Sequence, residues 1–278
     1  MADFTGKVVL VTGGARGQGR SHAVAFAKAG ADVAVIDSCK EIETAPYPMA
    51  TPEDLAETVR QVEELDRRCI AVEGDVRDTA AIDGLVERTI DELGQVDILL
   101  ANAGIVDAHL FTEITDEAWE EMIDINLMGV FKSLRAVTPH MVERGSGRII
   151  ATSSMGGRYG TPMLAHYVAS KFGVIGLVKT LALELADKGV TVNAVCPSNV
   201  SSPMLHNQAM YSLFNPEAEG ELTEDDVRDA FISTNRIPVP WVQMQDVSNM
   251  MMFLASDEAW YITGSALDVG CGTTAGTP

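Results

Sequence analysis

Basic residues are scarce in this sequence of 278 residues, which has 20 lysines and arginines against 40 aspartates and glutamates. The formal net charge at pH 7 is −20 with histidine neutral. A protein that binds a phosphate backbone or an anionic membrane needs a basic face, because these partners are polyanions. No cluster of lysine and arginine occurs along the chain. We therefore expect neither nucleic acid nor a membrane surface among its partners.

Cysteine and long apolar runs are also in short supply. The four cysteines form no close pair and have no histidine at metal-ligand spacing, so the sequence predicts no metal site and no redox-active pair. The apolar runs are far shorter than the roughly 20 residues that a membrane span requires. The N-terminus has neither the charged region nor the cleavage site of a secretory signal. We expect a cytoplasmic protein with reduced thiols.

Hydrophobic residues make up 46 % of the chain, which is enough to bury a large core. No linker rich in proline, glycine or serine divides the sequence, so residues 1–278 are predicted to form one domain. Short β-branched runs alternate with longer amphipathic segments, as in βαβ units. This pattern predicts a doubly wound, Rossmann-type α/β fold with a parallel sheet and helices on both faces. The about seven expected strands are Val8–Val11, Asp32–Ile36, Ile70–Glu73, Asp97–Leu100, Arg148–Thr152, Val190–Val195 and Ala266–Val269.

The segments between the strands predict helices near residues 18–29, 53–67, 79–93, 115–143, 165–187 and 246–255. Two stretches interrupt this alternation. Residues 38–52 contain three prolines between a strand and a helix, where connections of about 2–6 residues are usual, and are interpreted as an insertion loop. Residues 199–240 include a strongly acidic half and predict a mobile lid or a solvated helix pair over a site.

A glycine-rich turn follows the first strand directly, with Gly13, Gly17 and Gly19 ahead of a helix that begins near Gln18. Glycines allow the backbone to turn tightly and approach a pyrophosphate, whose charge is met by the N-terminus of the helix. Asp37 closes the second strand, at the distance where an acidic residue binds the adenosine ribose. Together these features predict a dinucleotide site, although a tight turn without a ligand is the alternative.

Asp37 favours NAD over NADP. A carboxylate accepts hydrogen bonds from both ribose hydroxyls and repels a 2′-phosphate. Arg16 and Lys40 are cations that would favour the phosphate instead. A carboxylate at the hydroxyls outweighs cations whose side chains face solvent, so we expect NAD.

Tyr167 and Lys171 stand four residues apart in a predicted helix, and their side chains therefore share one face. A phenol titrates near ~10 and is a poor base at neutral pH, whereas a neighbouring ammonium stabilises the phenolate. Taken alone, such a pair also fits an exposed surface pair. The surrounding motifs decide between the two interpretations.

Over nearly its whole length the sequence resembles the short-chain dehydrogenase/reductase family. The resemblance rests on motifs that follow one another in the family's order. These are TGGARGQG at residues 12–19, Asp75 in GDVRD, Asn102-Ala103-Gly104, Asn126, Ser154, the segment YVASK at residues 167–171 and the segment PSNVSSPM at residues 197–204. Ser154 precedes Tyr167 by the family's separation of 13 residues, so it is preferred to Ser153 as the catalytic serine.

The resemblance implies a catalytic tetrad of Asn126, Ser154, Tyr167 and Lys171. Tyr167 would be the general acid/base for the substrate oxygen as hydride moves to or from the nicotinamide, and Ser154 would hydrogen-bond the same oxygen. Lys171 would bind the nicotinamide ribose and lower the pKa of the tyrosine. Asn126 would hold a water that links Lys171 to solvent.

The resemblance also implies where the cofactor binds. Asp75 and Val76 would contact adenine, the Asn102 segment the adenosine ribose, Val200 the carboxamide and Ser202 the pyrophosphate. Ser198 and Ser202 stand where glycine and threonine are commoner in the family. The full set of expected cofactor contacts is Gly13, Arg16, Gly17, Gln18, Gly19, Asp37, Ser38, Cys39, Asp75, Val76, Asn102, Ala103, Gly104, Tyr167, Lys171, Pro197, Val200 and Ser202.

Within the family, the insertion with Cys39 and its prolines is similar to that of the carveol-dehydrogenase-like group associated with the redox peptide mycofactocin. This likeness implies a loop that covers a tightly held NAD, an external redox carrier and a hydrophobic secondary alcohol, carveol-like or another terpenoid, as substrate. A surface insertion without function is the alternative. The expected substrate contacts are apolar and rich in methionine: Met155, Gly156, Tyr159, Met163 and residues 204–214.

Two other functions remain open at this stage. One is an NADPH-dependent reductase of 3-oxoacyl or steroid ketones, against which Asp37 argues. The other is a cofactor-sensing binding protein, which would require an incomplete catalytic site. Family members usually pair two long helices across a dimer axis, so residues 115–143 and 165–187 imply a homotetramer.

Overall fold

The computed structural model describes residues 2–218 and 220–275 and is built around seven parallel strands. Their order across the sheet is β3-β2-β1-β4-β5-β6-β9, which confirms the predicted doubly wound α/β fold. The strands are β1 (Val8–Thr12), β2 (Asp32–Asp37), β3 (Cys69–Glu73), β4 (Ile98–Ala101), β5 (Gly147–Thr152), β6 (Val190–Pro197) and β9 (Ala266–Val269). A separate two-stranded sheet pairs β7 (Val200–Ser201) with β8 (Val242–Gln243).

Helices cover both faces of the large sheet, and each face has its own apolar cluster. Strands β1, β4 and β5 are buried throughout, which explains why their sequences are apolar on both faces. The helices are α1 (Gly17–Lys28), α2 (Pro52–Glu63), α3 (Thr79–Leu93), α4 (Asp116–Ile123), α5 (Gly129–Arg144), α6 (Ala165–Leu185), α7 (Gln208–Phe214), α8 (Glu224–Thr234) and α9 (Met244–Ala255). None of the helices in the described ranges is long and apolar enough to span a membrane.

The site lies where the sheet topology reverses direction. From β1 the chain continues through β2 to β3 on one side, and β4 then returns to the other side of β1. The connections that leave the carboxyl ends of β1 and β4 therefore run in opposite directions and leave a crevice between them. Doubly wound folds bind ligands in this crevice.

The predicted helix 115–143 is interrupted in the structure. Residues Asp124–Met128 form one turn of π-helix between α4 and α5. Because a π turn accommodates one extra residue, it changes which side chains face the site in the middle of an otherwise continuous helix. Apolar periodicity along the sequence did not reveal this interruption.

Both irregular segments of the sequence pack onto the body of the protein. In residues 38–51 the side chains of Ile42, Tyr47 and Ala50 are buried. The segment ends at a capping box in which Thr51 and Asp54 satisfy each other's backbone N–H groups at the start of α2. Residues 199–240 contain the predicted helix pair, α7 and α8, which contact each other beside the site.

Candidate active site

The turn from β1 into α1 requires glycine for steric reasons. Gly13 has a φ of +68°, in the left-handed region that favours glycine. A Cβ on Gly19 would lie 1.9 Å from the carbonyl oxygen of Gly13 and 3.0 Å from Nδ2 of Asn102. The first turn of α1 therefore lies directly against the glycine loop, with its N-terminal amides at the crevice.

This turn forms one wall of an elongated pocket, the cofactor pocket, which has a volume of about 130 Å³. Thirteen of the residues expected to bind the cofactor line it: Gly13, Arg16, Gly17, Gln18, Gly19, Asp37, Ser38, Asp75, Val76, Asn102, Ala103, Gly104 and Ser202. The remaining lining includes Ile42, Tyr47, Met49 and Ala50 of the inserted loop. Of the loop, only Ser38 and Cys39 were predicted from the sequence to be part of the site.

Asp37 lies at the end of β2, where its carboxylate is held by the glycine turn. The N–H of Ala15 donates to Oδ2 of Asp37 at 3.0 Å. Burial raises the pKa of Asp37, against hydrogen bonds from Ala15 and Cys39 that lower it. Arg16, the nearby cation, donates from Nη2 to the carbonyl oxygen of Pro48 in the inserted loop. The guanidinium that would favour a 2′-phosphate is thus engaged by the loop.

A second, larger pocket, the substrate pocket, adjoins the first and has a volume of about 500 Å³. Gln18, Asn102, Gly104, Ser202 and Met204 line both, which shows that the two pockets meet. Most of the rest of this substrate pocket is apolar. Its lining includes Val106, Met155, Tyr159, Met163, Leu164, Leu205, Met210, Leu213 and Phe214.

Tyr167, Lys171 and Ser154 line the substrate pocket close to this junction. Nζ of Lys171 lies 5.6 Å from the centre of the Tyr167 ring and donates to the carbonyl oxygen of Thr152 at 3.1 Å. Burial raises the pKa of Tyr167, while a hydrogen bond with Ser154 lowers it. Burial lowers the pKa of Lys171 to about 8. Desolvation therefore shifts the two pKa values in opposite directions, and each shift favours the neutral form of its group.

Ser153 and Ser154, which follow β5, have different hydrogen-bond partners. Oγ of Ser153 donates to the carbonyl oxygen of Lys171 at 2.9 Å and anchors α6 to the strand. Ser154 caps the following turn, where its Oγ accepts from the N–H of Gly156 at 3.0 Å, and it also hydrogen-bonds Tyr167. Of the two, Ser154 is the serine that lies beside the tyrosine.

Asn126 lies in the π turn, fully buried behind the wall of the site. Its Oδ1 accepts from the N–H of Ile105 at 2.8 Å and its Nδ2 donates to the carbonyl oxygen of the same residue at 2.8 Å. A Cβ on Gly104 would lie 3.1 Å from Oδ1 of Asn126 and 3.4 Å from Nζ of Lys171. The side chain of Asn126 thus fixes the segment after β4 that contains Gly104 and Ile105 and lies between Asn126 and Lys171.

The expected cofactor residues Pro197 and Val200 line the substrate pocket, as do Tyr167 and Lys171. Cys39 is placed differently. It lines neither pocket and packs against the apolar cluster that contains Val33, Val35 and Leu55, with its backbone in the left-handed region at a φ of +48°. Its neighbour Ser38 lies in the lining of the cofactor pocket.

Two buried polar atoms give an independent indication of what the crevice binds. Oε1 of Gln18 and Oγ of Ser198 have no hydrogen-bond partner within the described part of the chain, and both residues line the pockets. Buried polar atoms normally have partners, so a ligand with donors is expected to supply them. Together with the glycine turn and Asp37, they fit a dinucleotide that runs from β2 to Tyr167.

Comparison with known proteins agrees with this geometry. The family model described as short chain dehydrogenase matches residues 7–211. A (-)-trans-carveol dehydrogenase from Rhodococcus erythropolis is 44 % identical over 277 residues, which cover 99 % of each chain.

Two crystal structures are similar over almost the whole chain. Carveol dehydrogenase from Mycobacterium avium in complex with NAD has 45 % identity and a TM-score of 0.96, with 99 % of this chain and 100 % of that chain covered. A short chain dehydrogenase from Mycobacterium paratuberculosis bound to NAD has 34 % identity and a TM-score of 0.90, with 98 % and 99 % covered.

Proposed function

The chain belongs to the short-chain dehydrogenase family, and from this premise and its site we propose that it interconverts a hydrophobic secondary alcohol and its ketone with NAD as cofactor. The observation that carries the proposal is the meeting of Ser154, Tyr167 and Lys171 where the cofactor pocket joins the apolar substrate pocket. A substrate oxygen at Tyr167 would face the reactive end of a dinucleotide laid along the crevice.

Tyr167 would remove the proton of the substrate hydroxyl at its Oη, and Ser154 would hold the same oxygen through its hydroxyl. The Lys171 ammonium favours the phenolate electrostatically and offers donors to the ribose hydroxyls. Asn126 fixes the segment beside Lys171 and so keeps the ammonium in place. When bound, NAD supplies the hydride acceptor. Each of these roles uses a group that the side chain already presents towards the pocket or its wall.

Asp37 and the inserted loop support NAD as the cofactor. The carboxylate of Asp37 lines the cofactor pocket where a 2′-phosphate would meet like charge, and Arg16 is engaged by Pro48. Both similar crystal structures contain NAD. We propose in addition that the loop holds this NAD tightly, because five of its residues form part of the pocket wall.

A carveol-like terpenoid or a similar hydrophobic alcohol is the substrate class that we propose. The substrate pocket has the size of a small-molecule site, and more of its surface is apolar than polar. Met155, Met163 and Met210 come from three different segments and give it an adaptable apolar surface. The similarity to the (-)-trans-carveol dehydrogenase of Rhodococcus erythropolis supports the same class.

The test begins with the purified protein before any cofactor is added. Denaturation should release NAD or NADH in nearly stoichiometric amount if the loop retains it. Oxidation of carveol and other secondary alcohols is then followed with an added electron acceptor, and with NAD or NADP after the nucleotide is stripped. Activity with NAD on hydrophobic alcohols supports the proposal, whereas a protein that uses only NADP with 3-oxoacyl or steroid ketones contradicts it.

Several further properties are proposed from the resemblance. We propose a single domain over residues 1–278, a cytoplasmic homotetramer and reoxidation by an external carrier such as mycofactocin. The exposed apolar side chains of Phe131 on α5 and of Phe172 and Leu183 on α6 support an assembly through these helices. Light scattering on the purified protein tests the tetramer, and reduction of added carrier by the holoenzyme tests reoxidation.

A further inference from the structure

Tyr47 is a buried side chain in the inserted loop. It lies between Pro46 and Pro48, and its exposed fraction is 5 %. Proline fixes its own φ and keeps the preceding residue extended, so the backbone around Tyr47 has little freedom. Because loops usually run over the surface, a tyrosine buried from a loop indicates a specific interaction. The loop thus directs this aromatic ring into the interior of the protein.

The hydroxyl of Tyr47 connects the walls of the two pockets. The N–H of Val106 donates to Oη of Tyr47 at 3.0 Å in a buried environment. Tyr47 lines the cofactor pocket, whereas Val106 lines the substrate pocket. Without the hydroxyl, the N–H of Val106 would lose its acceptor in a place that water does not readily reach. One hydrogen bond therefore joins the inserted loop to the substrate wall.

The ring of Tyr47 belongs to the same apolar cluster as the segment beside the substrate pocket. It belongs to an apolar cluster with Leu205, Met210 and Tyr211 from the region around α7, and Tyr167 packs against the same cluster. Burial raises the pKa of Tyr47, which therefore keeps its phenol proton throughout the neutral range. The loop, the α7 region and the catalytic tyrosine consequently share one apolar cluster, to which the loop contributes the neutral phenol of Tyr47.

We propose that Tyr47 is a positioning residue that couples retention of the nucleotide to binding of the alcohol. For the loop to lift off the cofactor pocket, Tyr47 must leave both Val106 and the α7 cluster. An alcohol that holds the α7 region closed adds to the cost of that movement, so it slows release of the nucleotide. By linkage, a bound nucleotide improves binding of the alcohol by the same factor. This inference rests on the proposed function, since it takes NAD and a hydrophobic alcohol as the two ligands.

Other contacts anchor the loop without reaching the substrate pocket. Oγ1 of Thr44 donates to Oε2 of Glu121 on α4 at 2.6 Å. Thr44→Val removes this hydrogen bond with little change in volume, just as Tyr47→Phe removes the bond to Val106 and keeps the ring. Thr44→Val is therefore a matched control, because it loosens the same loop at a point remote from α7.

The experiment measures release of NADH from the full-length protein. Wild type, Tyr47→Phe and Thr44→Val are loaded with NADH, and the loss of nucleotide fluorescence is followed after excess ADP-ribose is added. Each protein is measured with and without a saturating secondary alcohol, from a panel of carveol, a steroid alcohol and an aliphatic alcohol. NADH and an alcohol are both reduced, so no turnover disturbs the signal.

We expect an alcohol of the panel to slow release from the wild type. Tyr47→Phe should release NADH about tenfold faster in the presence of that alcohol, as expected for loss of one buried hydrogen bond, and should respond little to the alcohol. Thr44→Val should keep the response of the wild type even if its release is faster.

Three results would overturn the coupling: a wild type that ignores every alcohol of the panel, a Tyr47→Phe protein that responds as the wild type does, or a Thr44→Val protein that loses the response as well. The proposed function fails separately. A wild type that oxidises none of the alcohols, yet shows an alcohol response dependent on Tyr47, would contradict the oxidation and retain the coupling.

Discussion

Lys171 and Tyr167 lie one turn apart on α6, with the lysine Nζ 5.6 Å from the centre of the tyrosine ring. Both side chains belong to the wall of the substrate pocket, and the ammonium also donates to the carbonyl oxygen of Thr152 on β5. The helix sets the spacing of the two side chains, and the carbonyl oxygen at the end of β5 fixes Nζ of Lys171. The charge beside the phenol therefore has a defined position.

Tyr167→Phe should lower kcat for alcohol oxidation by about 10²–10⁴-fold, the usual contribution of a general acid/base. NADH binding should change little, because the ring and its packing remain. Steady-state kinetics and fluorescence titration measure the two effects. Tyr261→Phe is the matched control, since it removes a hydroxyl from a tyrosine that is 94 % exposed. Turnover by the Tyr167 variant at the rate of this control would refute the catalytic role.

Lys171 should make stability depend on alkaline pH in the nucleotide-free protein. Its pKa falls from an ordinary value of 10.5 to about 8 on burial, so the folded protein binds fewer protons than the unfolded chain between these values. Stability from this group therefore rises with pH across that window. Relative to Lys171→Met, the wild type should gain about 3 kcal/mol in free energy of unfolding between pH 8 and 10.5. Denaturant titrations at several pH values test this, and a difference independent of pH would contradict the lowered pKa.

Asp37→Ala should weaken NAD binding by about 10–100-fold, as expected for lost hydrogen bonds to a charged acceptor. It should also reduce the ratio of the affinity for NAD to the affinity for NADP. Calorimetric titration of the stripped protein with each nucleotide measures both changes. Glu73→Gln is the control. Glu73 is exposed, pairs in register with Asp37 on β3 and lies outside the pocket lining, so its substitution removes a carboxylate charge near the pocket without changing the pocket wall. If Glu73→Gln alters the preference as strongly, the effect comes from the general field and not from Asp37.

Gly19→Ala should abolish nucleotide binding or prevent folding, because the new Cβ would lie 1.9 Å from the carbonyl oxygen of Gly13. Gly84→Ala in α3 is the counterpart, since a Cβ there meets nothing within 4 Å. It should raise the stability by about 0.5–1 kcal/mol, because alanine is the better helix former. Thermal unfolding and NADH titration of both variants check the pair. Normal binding by Gly19→Ala would contradict the close approach of α1 to the glycine turn.

Local patterns predicted much of the fold and of the site. The apolar runs located β1 to β6 and β9 to within a residue or two, because buried parallel strands must be apolar on both faces. The glycine turn, Asp37, Ser154, Tyr167 and Lys171 were identified at sequence level, since each follows a strand or occupies a set position on a helix. In the structure these residues line two adjoining pockets.

Other features depended on contacts between distant segments. The π turn at Asn126 forms where the amide of that residue hydrogen-bonds the backbone of Ile105, and apolar periodicity does not record such a bond. Cys39 was expected at the cofactor, and the structure adds that it packs against the apolar cluster that contains Val33 and Leu55, with a left-handed backbone. The prolines of the inserted loop were noted in the sequence, whereas the burial of Tyr47 between two of them and its bond to Val106 were not predicted.

The sequence by itself determined the parallel sheet, the order of its elements and the residue types at the catalytic positions, because strand burial, helix spacing and tight turns are local requirements. Only the tertiary structure decided that the inserted loop forms a wall of the cofactor pocket and reaches Val106, 59 residues further along the chain. The physical reason is that the destination of a buried hydroxyl depends on which distant N–H the completed fold leaves unpaired.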